Sequence, residues 1–193
     1  MKRRTFLFTA GAGIAATGFL ATGCTVTKPD TPEDRAAKRR EIDSGVDGTL
    51  TRLYSTARGS QELAGRARGI LIFPRVLSGG LVIGGEYGDG VLRVGGRPDG
   101  YYRLVGGSLG WQIGAQSRAI VLMFLTQDAL DRFRKSSGWT VGADATVAVA
   151  NVGATGEVDS NTIKQSVVGF ALTNVGLFAG LKLDGSKITR LDL

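Results

Sequence analysis

Short apolar runs broken by glycine dominate the chain, and only a few stretches repeat apolar residues every three or four positions. The first such stretch follows Thr31-Pro32-Glu33-Asp34. Thr31 can cap a helix, Pro32 suits its first position, and the two acids favour its positive end. Ile42, Val46, Leu50, Leu53, Tyr54 and Ala57 then form one apolar stripe. Gly45 and Gly48 each cost a helix about 1 kcal/mol, which predicts a kink or break there. A short second helix is expected over 60–67, entered at Ser60. A third is expected over 127–135, capped by Thr126, buried through Ala129, Leu130 and Phe133, and ended by Gly138.

Runs bounded by Gly and Pro read as strands. The first, 70–73, is stopped by Pro74. A Gly79-Gly80 turn leads to 81–83, and a tip at Asp89-Gly90 leads to 91–94. Pro98-Asp99-Gly100 signals a turn before 101–105, and 109–113 follows. The apolar run 119–125 predicts a central strand buried on both faces. Strands are also expected over 141–152, 167–172, 177–183 and 188–191, with a polar loop at 153–161 and a hairpin turn at Asp184-Gly185. About nine or ten strands, three helices and no βαβ alternation predict an α+β domain with an antiparallel sheet. The 30 glycines lack a Gly-X-Y period, so they point to strongly bent strands and not to collagen.

The amino-terminal residues change the picture. Lys2, Arg3 and Arg4 precede an apolar run over 6–20, too short to span a bilayer securely. Residues 1–23 are therefore expected to be a signal peptide. Ala21-Thr22-Gly23-Cys24 resembles a bacterial lipoprotein cleavage box, and Arg3-Arg4-Thr5-Phe6-Leu7 a twin-arginine export signal. Cys24, the sole cysteine, is the expected lipidation site. Residues 24–31 would tether a domain spanning 32–193, with a reach of about 26 Å when extended. Two or more acyl chains give stable anchoring. Thr25, where inner-membrane retention would favour Asp, directs the expectation to the outer membrane's periplasmic face. Loss of residues 1–23 lowers the formal charge from +7 to +4. That mild excess suits anionic head groups and is too weak and dispersed for nucleic acid.

Candidate chemistry is sparse. The chain has no histidine, which removes the commonest general base and zinc ligand and excludes Ser-His-Asp and Cys-His catalysis. Asp43 with Asp47, and Asp128 with Asp131, read as exposed helix acids. Glu86 sits among glycines, where accepting backbone N–H bonds at a bulge outweighs catalysis. Gly11-Ala12-Gly13 fits the loose dinucleotide fingerprint but lies in the signal segment, and the later glycines lack P-loop spacing. Neither enzyme activity nor a cofactor or metal is expected. Charge recognition remains, since Arg and Lys bind phosphate by charge-assisted hydrogen bonds. The candidates are Arg35, Lys38, Arg39 and Arg40 on the first helix, Arg66, Arg68 and Arg75 around the first strand, and Arg132, Arg134 and Lys135 ending the third helix.

Residues 69–90 read GILIFPRVLSGGLVIGGEYGDG. Preceded by Ala67-Arg68, this stretch resembles the signature of the SYLF domain family of lipid-binding proteins. The resemblance continues in 107–116, GSLGWQIGAQ, and in 176–180, GLFAG, and covers roughly residues 31–193. It implies a β-barrel with helices packed on its outside. It also implies that the first helix, which the family associates with phosphoinositide binding, contacts lipid. Many members carry a basic residue just before GLFAG, where this chain has Val175, so weak binding of anionic phospholipids is the expectation. An envelope lipoprotein that binds a protein partner is the alternative. Some eukaryotic relatives bind actin, which a periplasmic protein would not meet. A carrier holding an apolar ligand inside the barrel is a third reading. An integral outer-membrane barrel is disfavoured by the lack of regular alternating strands with aromatic girdles.

Overall fold

The computed structural model describes residues 31–80, 83–109, 116–150, 164–174, 176–177 and 185–193. Cys24, the signal segment, the tether up to residue 30, the 153–161 loop and Val175 lie outside them. So do most of the predicted strands 81–83, 109–113 and 177–183.

Helix α1, Pro32–Thr56, starts as expected: the Thr31 hydroxyl accepts the Asp34 N–H at 3.1 Å. It runs unbroken through Gly45 and Gly48, so the predicted break does not occur. Tertiary packing overrides propensity here. A Cβ on Gly45 would stand 2.6 Å from the Pro74 Cβ, so the missing side chain is what lets the helix sit down on the sheet. Helix α2, Ser60–Arg66, folds back beneath α1. Helix α3, Gln127–Lys135, is capped by Thr126 through Ala129 N–H, but ends at Ser136, ahead of Gly138.

Nine strands among the described residues form one sheet: β1 Gly69–Gly80, β2 Ile83–Val94, β3 Arg97–Leu109, β4 Gln116–Phe124, β5 Trp139–Thr140, β6 Ala148–Val149, β7 Val167–Thr173, β8 Gly176–Leu177 and β9 Lys187–Leu191. Their order is β5-β9-β3-β2-β1-β4-β7-β6, with β8 on β7. The α+β class holds. The sheet is mixed, not wholly antiparallel, because β6 and β7 are parallel. It is a curled half-barrel, not the closed barrel that the family resemblance implied. Its two ends, β5 and β6, are two-residue strands from one segment, so residues 141–147 bridge the gap where a ladder would have closed it.

Strand limits differ instructively from expectation. Pro74 does not stop β1. The pairing of β1 with both neighbours shifts there, so the proline occupies a bulge, where its missing N–H is tolerated. Asp89-Gly90 is mid-strand in β2, not a tip. The turn before β3 is Gly95-Gly96, both at positive φ (57° and 79°), two residues ahead of the Pro98 signal. In the described part of the predicted strand 141–152, residues 141–150, only β6 and an isolated bridge at Val141 form. Strand β9 pairs with β3 and β5.

Each face of the sheet carries a buried core. On one, Ile42, Val46 and Leu53 of α1 and Leu63 of α2 pack on Ile72, Val91, Val121, Met123, Phe170 and Leu172. On the other, α3 and residues 139–149 cover Leu71, Phe73, Leu92, Leu104, Ile120 and Leu122. Phe133 of α3 stacks there against Tyr102, Phe124 and Trp139, with ring centres 4.8–5.4 Å apart. Packed aromatic side chains thus fill the described interior, where a carrier would need space.

Candidate functional site

Helix α1 lies across the strands instead of along them. Arg39 donates to the Leu193 carbonyl at 2.8 Å, just past β9. Tyr101 of β3 donates to Asp43 at 2.8 Å, and Arg93 of β2 pairs with Asp47 at 2.6 Å. Gly45 meets Pro74 of β1, and Thr56 reaches Gly176 of β8. The stripe predicted from the sequence is therefore spent on the sheet and is not free to lie on a membrane.

The basic residues of α1 divide. Lys38 binds Glu41 at 3.0 Å and Asp89 of β2 at 3.2 Å. The buried Asp89 carboxylate also accepts from Arg103 Nε at 2.8 Å and from the Tyr87 hydroxyl at 3.1 Å. Burial pushes the Asp89 pKa up. The Arg103 hydrogen bond and the Arg103 and Lys38 charges outweigh it and hold the group below its ordinary value. Burial pulls Lys38 down, but its bonds to Glu41 and Asp89 leave it raised. Arg35 and Arg39 are half-buried, while Arg40 is exposed. The first helix's basic block is thus partly a structural clamp.

A second clamp explains Glu86. Its role is structural, as expected, but among the described residues it accepts no backbone N–H bond. Its buried carboxylate takes a hydrogen bond from Arg118 of β4 and one from the Ser186 hydroxyl at 2.7 Å. One acid thus ties β4 across β1, and the entry to β9 across β3. Gly106 makes this crossing possible, since a Cβ there would stand 2.6 Å from both the Glu86 and Ser186 oxygens. Gly88 is equally constrained, with a Cβ position 2.8 Å from the Arg75 carbonyl at the bulge. Among the described residues no cluster of three potential ligands is assembled for a metal ion.

Two surfaces among the described residues carry unengaged chemistry. The first lies on the α1 face, past the bulge. Leu77 of β1, Tyr87 of β2 and Val105 of β3 stand directly opposite one another in one row. Leu77 is 43% and Val105 49% exposed, the only large apolar side chains so exposed among the described residues. Arg75 shares the face, and Lys187 lies opposite Val105 on β9. A groove of about 260 Å³ between α1 and this row is lined by Lys38, Ile42, Arg75, Leu77, Tyr87 and Asp89, among others. The Arg103 guanidinium caps the Tyr87 ring at 4.9 Å.

The second surface lies at the other end of the strands. Arg66 and Arg68 before β1, Leu125 and Thr126 after β4, and Lys164 and Gln165 before β7 line a groove of about 470 Å³. Of the predicted α3 cations, Arg132 is paired with Asp128, Arg134 with Asp99, and Lys135 is exposed. The ten predicted basic residues therefore do not form one patch. Arg75 belongs to the first surface, Arg66 and Arg68 to the second. Sequence reasoning missed Lys164, Leu77, Tyr87 and Val105. Only Pro74, a proline inside an otherwise continuous strand, hinted at the bulge that exposes Leu77.

Residues 105–192, from the end of β3 to β9, match a family described as Ysc84, Las17-binding protein actin regulator. LAS seventeen-binding protein 3, from two strains of Saccharomyces cerevisiae, is 29% identical over 131 residues. The alignment covers 64% of this chain and 28% of the yeast protein, so the chain spans well under a third of those relatives. Residues 105–192 thus match the model of the Ysc84, or SYLF, family, the family that the motifs at 69–90 resemble.

Proposed function

We propose that the protein is a non-enzymatic, lipid-anchored domain that adheres weakly to anionic phospholipid at the periplasmic face of a bacterial outer membrane. The observation that carries this reading is the row Leu77–Tyr87–Val105 beside Arg75, on the face that α1 crosses. Two exposed aliphatic side chains, an amphipathic tyrosine and flanking cations suit the headgroup boundary. Cys24 would be acylated, and the tether after it enters α1 at Thr31, seven residues before Lys38 of the same groove.

Co-sedimentation of the unlipidated domain with phosphatidylglycerol and phosphatidylcholine vesicles tests this. Binding is expected to the anionic vesicles and to fall severalfold in Leu77→Asp and Arg75→Gln. Equal binding to both vesicle types sinks the reading.

A protein partner is the second reading, favoured by the yeast relative being named for binding Las17. A crosslinked complex that survives charge removal at Arg75 and Arg40 would favour it over lipid adhesion.

A further inference from the structure

The groove at the far end of the sheet has a different character from the membrane face proposed above. Three chain segments build it. The Arg68 N–H donates to the Phe124 carbonyl at 2.8 Å, and the Leu125 N–H to the Ser166 carbonyl at 2.9 Å. These bonds fasten the segment before β1, the end of β4 and the entry to β7 side by side. They bring Arg66, Arg68 and Lys164 around one recess although Lys164 is almost a hundred residues away in sequence. All three side chains are exposed, and none has an ion pair or hydrogen bond.

Among the described residues no carboxylate lines this groove. The nearest acids in sequence on the flanking helices are Glu62, Asp128 and Asp131. Asp128 is held by Arg132, and Asp131 by Gln127 at 2.9 Å. Several other cations of the fold are partnered: Lys38 and Arg103 with Asp89, Arg93 with Asp47, Arg118 with Glu86. Thr126 adds the amino-terminal end of α3 to the wall, and Gln165 adds an amide donor. Three positive charges held together with no counter-charge among the described residues repel one another. An anion with several acceptor oxygens relieves that repulsion and can take two donors from each arginine.

We propose that Arg66, Arg68 and Lys164 form a phosphate-binding site, separate from the membrane-adhesion face and at the opposite end of the strands. Strand β1 alone, from Gly69 to Leu77, puts about 25 Å between the two. The ligand is a phosphate group, from either a soluble phosphate compound or a lipid headgroup.

The test is calorimetric titration of the full chain, held in phosphatidylcholine nanodiscs. Two probes separate the sources. Pyrophosphate represents free phosphate, and glycerophosphoglycerol is the deacylated headgroup of phosphatidylglycerol. Saturable binding of either probe is expected, weakened about tenfold or more by combined Arg66→Gln, Arg68→Gln and Lys164→Gln. Arg68→Lys, which keeps the charge, should retain part of it. Leu77→Asp and Arg75→Gln should leave it unchanged, so this proposal and the adhesion reading fail independently. Absence of binding by both probes, or binding that the triple variant retains in full, overturns the proposal. All three side chains are exposed and unpaired, so the variant should keep the wild-type circular dichroism spectrum, which is recorded alongside.

Discussion

Gly45 and Gly48 lie three residues apart in the same helix, and the structure assigns them opposite consequences. Replacing either by alanine removes the backbone-entropy penalty of glycine in a helix, worth about 1 kcal/mol. At Gly48 nothing lies within 4 Å of the new Cβ, so that gain should appear in full. At Gly45 the new Cβ would stand 2.6 Å from the Pro74 Cβ and 3.2 Å from its Cγ. The proline is a stiff ring fixed in a bulge between two paired strands, so it cannot rotate away. Relief must come from shifting α1 off the sheet, at an overpacking cost of about 1–3 kcal/mol. Gly48→Ala should therefore stabilise by about 1 kcal/mol, and Gly45→Ala should be destabilising by up to about 2 kcal/mol after its helical gain. In thermal melts of a chain this size, 1 kcal/mol moves the midpoint by about 2–4 °C. Urea titrations followed by far-ultraviolet circular dichroism give the free energies. If both variants stabilise alike, α1 does not rest on the Pro74 bulge, and the placement of the Lys38–Asp89 clamp and the adjoining groove falls with it.

Other consequences are equally direct. Asp89→Asn leaves Lys38 and Arg103 facing a neutral group and should cost about 3 kcal/mol at pH 7 by urea unfolding. Because the folded-state pKa of Asp89 is lowered, its contribution is full above the ordinary carboxylate value and lost as pH falls through the lowered one. The gap between variant and wild type should therefore close in that acid window, and a gap independent of pH would refute the ion-pair account. Gly106→Ala forces its methyl into the Glu86–Ser186 contact and should destabilise by about 1–3 kcal/mol, with Ser186→Ala in the same background adding little, since the bond is already broken. Burial, then the Asp43 hydrogen bond, pushes the Tyr101 pKa up to about 12. Asp43→Asn should lower it, as read from tyrosinate absorbance in a pH titration, and an unchanged titration would show that Asp43 has no part in it.

Much of the local structure was legible in the residues. Thr31-Pro32-Glu33-Asp34 and Thr126 specify helix starts by their own hydrogen-bonding and φ preferences, and both helices begin there. The apolar run of β4 is long enough to require burial on both faces, and it lies between β1 and β7 at the middle of the sheet. The absence of histidine limited the chemistry before any fold was known. These are short-range or compositional facts, so the chain states them directly.

What only the tertiary structure decided concerns facing and pairing. Simple alternation from Leu71 and Phe73 would send Arg75 and Leu77 into the same core. The bulge at Pro74 inserts an extra residue, so Val76 turns inward while Arg75 and Leu77 turn out. One backbone irregularity thus creates the apolar row on which the adhesion reading rests. Likewise no spacing rule joins Lys164 to Arg66 and Arg68. Their meeting depends on β7 pairing beside β4 and β4 beside β1, and ladder order is set by long-range burial, which local sequence does not encode.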